Sequence, residues 1–173
     1  GALLVGANLQ YADLTNADLR GANLADSDLT DANFAGANLT NANIYSVVLT
    51  NIDLSKANLR GVTLDGSIVE QDGAKLVGAD LSEVVWEEVD LTGVDLTGAS
   101  LAGAKLSYVT LNRANLSGAD LTGANLSAVE LSGADLSGAN LSSAVLTGPA
   151  EETGVDMTGA NLAGANLSNS DLS

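Results

Sequence analysis

Residues 7–24 read Ala7-Asn8-Leu9-Gln10-Tyr11, Ala12-Asp13-Leu14-Thr15-Asn16, Ala17-Asp18-Leu19-Arg20-Gly21, Ala22-Asn23-Leu24. A large apolar residue recurs every fifth position, a small one precedes it by two, and Asn or Asp stands between them. The series begins at Leu4 and runs to Val69, with Phe34 and Ile44 in place of Leu. It resumes from Ala74-Lys75-Leu76 to Ala144-Val145-Leu146, and again from Val155-Asp156-Met157 to Asp171-Leu172. This makes 33 repeats, 28 of them centred on Leu.

A helix does not accommodate this period. Five residues advance an α-helix by about 500°, which scatters the Leu positions around its axis. Glycines at the observed frequency would also cost a helix about 1 kcal/mol each. In an extended strand, residues two apart share a face. Ala12 and Leu14 then point inward, Asp13 points out, and the next two residues must turn the chain before the motif restarts. Gly6, Gly21, Gly36, Gly93, Gly98, Gly118, Gly123, Gly133 and Gly138 stand just before the inward small residue, where a type II turn requires positive φ. Asn16, Asn41 and Asn51 tolerate the same geometry. Tyr11, Lys56, Glu83, Glu88, Tyr108 and Arg113 occupy that position as residues that avoid positive φ, and are expected to mark type I turns.

The Ala-(Asp/Asn)-Leu repeat resembles the pentapeptide-repeat family, of cyanobacterial type, over essentially the whole chain. The resemblance implies an all-β fold, a right-handed quadrilateral parallel β-helix with four repeats per coil. At about twenty residues per coil the chain gives about eight coils, and a spacing of ~4.8 Å gives a rod roughly 40 Å long. Residues 1–173 are expected to form a single β-helix, with register breaks near 70–73 and 147–154. The first break lies in Glu70-Gln71-Asp72-Gly73, the second between Leu146 and Met157. Both are expected to protrude as loops, and Pro149, Glu151 and Glu152 of the second are candidate contact residues.

The core is bulkier in mid-chain. Val47, Ile52, Val62, Val84, Val89 and Val94 replace Ala in inward small positions, and Trp86 occupies a Leu position. An indole overpacks a tube sized for Leu unless the tube widens, so these substitutions read as mutually compensating, with Trp86 inside. An exposed Trp86 serving as a binding anchor is the other reading.

Twenty-two acids against six bases leave a net charge of −16. Phosphates would be repelled, so direct nucleic-acid binding is not expected and a protein with a basic surface is the favoured partner. Twelve of the 22 acids occupy the repeat's own outward slot, where stacked coils would bring like charges about 4.8 Å apart. Asn between them relieves the repulsion. Residues 65–95 are the exception. Asp65, Glu70, Asp72, Glu83, Glu87, Glu88 and Asp90, with Asp80 and Asp95, face only Lys75 and form a candidate partner-binding belt. Apolar Val48, Ile68, Val85 and Val145 fill other outward slots, which suits protein contact or stacking.

Catalysis has little to stand on. The chain has no His and no Cys, which removes thiol nucleophiles, thiolate metal sites and disulfides. The glycine spacing belongs to the turns rather than to a phosphate loop. No catalytic, cofactor-binding or metal-ligating residues are assigned. Two non-enzymatic readings follow: a structural or protein-interaction rod, and, from what the resemblance implies, a DNA mimic acting on a type II topoisomerase such as gyrase. No apolar run approaches ~18 residues, so no transmembrane helix is expected. The expected compartment is aqueous: cytoplasm, or periplasm or thylakoid lumen if a targeting segment has been removed. The start at Gly1 in mid-pattern is what a trimmed or processed chain would show. Neither terminus carries an amphipathic capping segment, so exposed strand edges and end-to-end or dimeric self-association are expected.

Overall fold

The computed structural model describes residues 1–64, 74–148 and 155–172. Expectations placed on Asp65, Ile68, Glu70, Asp72, Pro149, Glu151 and Glu152 lie outside the described residues. Each repeat contributes one residue, the outward Asp/Asn slot, to a single parallel bridge and then turns. The first bridges are Leu3↔Asn23, Asn8↔Asp28, Asp13↔Asn33 and Asp18↔Asn38. Partners are therefore 20 residues apart, so four repeats make one coil and four ladders run along a β-solenoid. The separation becomes 22 at Asp53↔Lys75 and Asn58↔Asp80, returns to 20 at Lys75↔Asp95, and reaches 26 at Asp135↔Asn161. Only β1 (Thr63–Leu64) and β2 (Val85–Trp86) extend to two residues; they pair in parallel.

The ladders define four faces. Leu3, Asn23 and Asn43 begin the first, which continues through Thr63, Val85, Lys105, Asn125, Val145 and Asp171. Asn8, Asp28 and Val48, then Asp90, Thr110 and Glu130, form the second. The third runs from Asp13 through Asn33, Asp53, Lys75, Asp95, Asn115 and Asp135 to Asn161. Asp18, Asn38, Asn58, Asp80, Ser100, Asp120, Asn140 and Asn166 make the fourth.

Five backbone N–H groups per repeat need acceptors, and a repeat with Asp or Asn in its outward slot finds one for each. In the repeat Ala12–Asn16, Ala12 N–H donates to Leu9 C=O at 3.0 Å and closes the turn. Leu14 N–H donates to Asn33 C=O at 2.8 Å, and Asn16 N–H to Ala35 C=O at 2.9 Å. One coil on, Asn33 N–H donates back to Ala12 C=O at 2.9 Å. The remaining donor, Thr15 N–H, faces the bend and is taken by Asp13 Oδ1 at 3.1 Å. Asn does this equally well: Asn33 Oδ1 accepts Ala35 N–H at 2.9 Å and Asn115 Oδ1 accepts Ser117 N–H at 3.1 Å. The Asp/Asn slot is thus first a requirement for a side-chain oxygen at one position, which either residue meets.

One turn expectation is overturned. Tyr11, Lys56, Glu83, Glu88, Tyr108 and Arg113 all have φ between 57 and 62°, like the glycines. Positive φ at the third turn residue alone, with the fourth bonded to the first carbonyl, is type II, which describes five of these turns. At Glu88 the φ is the same without a closing bond from Val89 N–H to Trp86 C=O among the described residues. The ladder imposes it, because each such residue must aim its own N–H at the next coil; Tyr11 N–H reaches Thr30 C=O at 3.0 Å. Fifteen non-glycine residues accept this conformation among those described, at about 1 kcal/mol or more each where the side chain is neither Asn nor Asp.

Small and large inward residues fill the interior, and Trp86 and Phe34 are fully buried within it. The indole is therefore inside, as the bulky mid-chain slots imply. The widening appears in the turns. Where Ala fills the small slot the closing hydrogen bond measures 2.7–3.1 Å; with Val or Ile it ranges from 3.0 Å at Val62 and 3.2 Å at Val94 to 3.3–3.4 Å at Ile52, Val84, Val109 and Val129. The fit around Trp86 is imperfect. A cavity of about 20 Å³ lies among Trp86, Ile44, Ile52, Leu59, Leu76 and Leu91, and among the described residues Trp86 Nε1 has no hydrogen-bond partner.

Leu96→Lys places an unpaired charge in this interior and is expected to cost several kcal/mol, enough to unfold the rod locally or globally. Asn115→Asp retains the oxygen and should shift stability by less than about 0.5 kcal/mol, whereas Asn115→Ala removes the acceptor and should cost about 1 kcal/mol. Chemical denaturation of the three variants checks this, and equal tolerance at both positions contradicts the assignment. Trp86 emission should be blue-shifted and poorly quenched by acrylamide; red-shifted, freely quenched emission would place the indole outside.

Candidate protein-interaction surface

Successive repeats face different directions, so a run of acids along the chain becomes a ring around the rod. Asp80 lies on the fourth face, Asp90 on the second and Asp95 on the third. Glu83 occupies the turn between the fourth and first faces, and Glu87 and Glu88 the turn between the first and second. The described part of the belt therefore encircles one coil, and its members do not share a plane.

Their environments differ as well. Glu83 Oε1 lies 2.8 Å from Arg60 Nη2, an exposed ion pair that offsets its charge. Asp90 and Asp95 are capping residues, their Oδ1 atoms accepting the N–H groups of Thr92 and Thr97 at 2.9 and 3.0 Å. Glu87 and Glu88 are exposed and, among the described residues, are in no ion pair. Above and beside them stand the exposed side chains of Val85 and Tyr108, and Tyr45 is exposed at the same corner three coils earlier. Sequence reasoning missed this grouping because it comes from stacking at twenty-residue spacing, which a linear scan for charge does not see.

Among the described residues no bridged pair joins two carboxylates. The third face alternates Asp13, Asn33, Asp53, Lys75, Asp95, Asn115, Asp135, Asn161, and the amides bond the acids: Asn161 Nδ2 donates to Asp135 Oδ1 at 3.0 Å. Lys75 Nζ stands 3.9 Å from Asp53 Oδ2. A shallow external hollow of about 290 Å³ is lined by Asn41, Ala42, Asn43 and Gly61, none of them ionisable. The described residues include no group of three or more acids placed to hold a metal ion, and no helix long and apolar enough to cross a membrane.

Capping perturbs the acids that perform it. Hydrogen bonds from the Arg20 side chain and backbone N–H hold the Asp18 carboxyl down to about 2. The Thr15 hydroxyl lowers Asp13, the Thr30 hydroxyl and the Gln10 amide lower Asp28, and the Thr158 hydroxyl lowers Asp156. The Ser137 N–H and hydroxyl do the same for Asp135. At Asp53 burial pushes upward, but the Ser55 hydroxyl and N–H and the charge of Lys75 outweigh it.

These features define a parallel β-solenoid whose side chains are set out on flat bridged faces. The profile described as Pentapeptide repeats matches in eight copies, over residues 7–44, 32–71, 74–112, 110–148 and 153–173. The chain belongs to the pentapeptide-repeat family. Among solved structures it is similar to HetL, a pentapeptide repeat protein involved in heterocyst differentiation regulation in the cyanobacterium Nostoc sp. strain PCC 7120, at 30% identity over 98% of this chain and 86% of that one, with a TM-score of 0.47. It is also similar to full-length QnrB1, a plasmid-mediated fluoroquinolone resistance protein, at 20% identity over 93% and 92% of the two chains, TM-score 0.44. A pentapeptide repeat protein from the Arabidopsis thaliana thylakoid lumen is 27% identical over 66% and 68%, TM-score 0.31. Comparison with curated proteins gives no match.

A carboxylate with a lowered folded pKa contributes stability above its unfolded value near 3.9, and loses it as pH falls through the folded value. Stability from the capping acids should therefore decline between about pH 4 and pH 2, the Asp18 share last. Asp13→Asn keeps the cap without the titration. Its denaturation midpoint should match the parent at pH 7 and exceed it at pH 3; an unchanged difference at both pH values contradicts the capping account.

Proposed function

We propose that this chain is a non-enzymatic, rigid β-helical rod that acts as a structural or protein–protein interaction module. The reading takes the solenoid as right-handed, with about eight coils in one domain. One observation carries it: the interior of the rod is filled by its own aliphatic side chains, with a cavity of about 20 Å³ beside Trp86, while chemically distinctive groups stand on exposed faces. Such a molecule offers surface instead of an enclosed site. A charge of −16 selects for a basic protein partner, with Glu83, Glu87, Glu88 and Asp90 of the acidic coil as its proposed contacts. Asp65, Glu70, Asp72, Pro149, Glu151 and Glu152 remain part of the proposed surface on sequence grounds. Copies stacked end to end, or paired, are a further mode of association open to such a rod.

The competing reading, imitation of duplex DNA toward gyrase, draws on the same charge. Over ~40 Å, B-DNA carries about 23 charges in two continuous rows. Here the described bridges never stack acid on acid, and Lys75 and Lys105 occupy outward slots. A groove shaped by phosphate strands would meet an interrupted field.

Two measurements follow. In a supercoiling assay with and without a quinolone, stoichiometric rod is expected neither to inhibit nor to protect gyrase; inhibition at low micromolar rod that vanishes with salt would reverse the ranking. In a pull-down with the intact rod, binding to a basic partner should weaken strongly as salt rises past ~0.15 M. Neutralising Glu83, Glu87 and Glu88 together should weaken it more than neutralising Asp13, Asp18 and Asp28. Equal effects would reduce the acidic coil to a solvated ring.

A further inference from the structure

The repeat keeps two local rules, a capping oxygen in the outward slot and an unstrained residue at the left-handed turn position. The repeats 84–88 and 104–108, on successive coils, break both. Val85 and Lys105 offer no oxygen to the N–H two residues on. Glu88 and Tyr108 hold φ of 57 and 59°, where glycine would carry no strain. Val85 and Lys105 are bridged to each other on the first face. Val85 is 41% accessible and Tyr108 55%, and Glu87, Glu88 and Lys105 are exposed. Positions that depart from a local rule without a compensating contact are where function is expected.

The charges of this patch are of both signs. In the coils from 74 to 148, the charged residues on the first face and on its corner with the second are Glu87, Glu88 and Lys105. Among the described residues none of the three is in an ion pair, whereas Glu83, at the opposite edge of the face, is held by Arg60. A uniformly basic partner would gain the two glutamates here but would also meet Lys105. A second copy of the patch finds an opposite charge for all three.

Resting on the interaction-module reading above, we propose that Val85, Glu87, Glu88, Lys105 and Tyr108 form a self-docking surface, whose occupant is the same surface of a second copy of this chain. A two-fold axis across the first face, between Val85 and Lys105, sets the two rods antiparallel and face to face. Each of the two coils then meets the other coil of the second copy, the exchange that an isologous contact requires. Lys105 lies against the Val85 of the second copy, beside that copy's Glu87 and Glu88, and the reverse pairs form at the same time. Facing sheets pack about 10 Å apart, a gap that a lysine and a glutamate side chain span together. The two Val85 side chains, and likewise the two Tyr108 rings, come one coil apart along the axis, ~4.8 Å, and supply the apolar contact. With the two-fold axis along the rod instead, the parallel copies would set Lys105 on Lys105. The net charge of −16 on each rod opposes association, but ~0.15 M salt screens charges farther apart than about 8 Å and leaves the facing pairs in force.

The test is sedimentation equilibrium of the whole chain in ~0.15 M salt, loaded from ~10 μM to ~1 mM. The mass should rise from that of one chain toward that of two. Lys105→Glu and Glu88→Lys each place two like-charge contacts in the dimer, and each should weaken it by about tenfold or more. Both changes suit the rod, since Glu130 already stands in an outward slot and Lys56 already holds a left-handed turn at φ 59°. In an equimolar mixture the two changes compensate across the interface, and association should return to within about threefold of the parent. A parent that stays at one chain up to ~1 mM overturns the proposal. So do variants that self-associate as the parent does, or a mixture that recovers nothing. None of these outcomes touches the interaction-module reading, which answers to the salt-sensitive pull-down above. If the parent is monomeric and Lys105→Glu strengthens capture in that pull-down, the occupant is a basic protein and self-docking is overturned.

Discussion

The structure depends on how one backbone donor is satisfied. In a solenoid of five-residue repeats, four N–H groups find carbonyls in the same turn or the adjacent coils. The fifth points into the bend, where no carbonyl reaches it. A side-chain oxygen two residues back is the shortest solution, and Asp and Asn place one there. The rest of the repeat follows from this. Ala is small because the chain must turn just beside it, Leu fills the tube, and a positive-φ residue aims its N–H along the axis. Where Val or Ile displaces Ala, the turn bond lengthens at most positions, and ladder bonds beside Trp86 lengthen too, Gly61 N–H to Ser82 C=O and Glu88 N–H to Ser107 C=O both measuring 3.3 Å. A Trp fits into this channel sized for Leu at the cost of a small void and, among the described residues, an indole N–H without a partner.

Much of this was legible in the sequence, because a period of five is incompatible with a helix and natural for a strand and turn. The inward Leu and Ala positions, the outward Asp and Asn and the buried Trp86 all follow from spacing and side-chain volume. Two features did not follow. Tyr11, Glu88 and Arg113 suggested ordinary turns, since these residues avoid positive φ in isolation; the ladder overrides that preference because its hydrogen bonds outweigh about 1 kcal/mol of strain at each. The capping role of Asp and Asn is hidden behind what looks like charge dilution, since a sequence shows which residues alternate without showing which atom they share.

The acidic belt was legible as composition and illegible as geometry. In a solenoid, neighbours in sequence sit on different faces, and neighbours in space are a coil apart. Glu83 and Glu88 are separated by five residues and by a whole face, whereas Glu88 and Tyr108 are twenty apart and stacked. A charge count over 65–95 therefore sums residues that stand on different faces of the rod. The useful unit is the ladder, and each ladder has its own character.

That difference between ladders separates two demands that compete in most proteins. Folding needs the capping oxygen often enough to hold successive turns, and recognition needs side chains that differ from position to position. A rod with four equivalent faces would have to compromise on each. Here the third and fourth faces keep the oxygen almost without interruption, and alternate acid with amide so that stacked carboxylates do not meet. The first and second faces hold Val, Thr and Lys in the same slots and Tyr and Glu at the turn between them. The coil stays closed because one strained or uncapped corner is tied covalently and by hydrogen bonds to neighbouring corners that are neither. Cooperativity around the ring thus lets two faces diverge while the other two hold the register, and it places the variable side chains side by side instead of dispersing them around the rod.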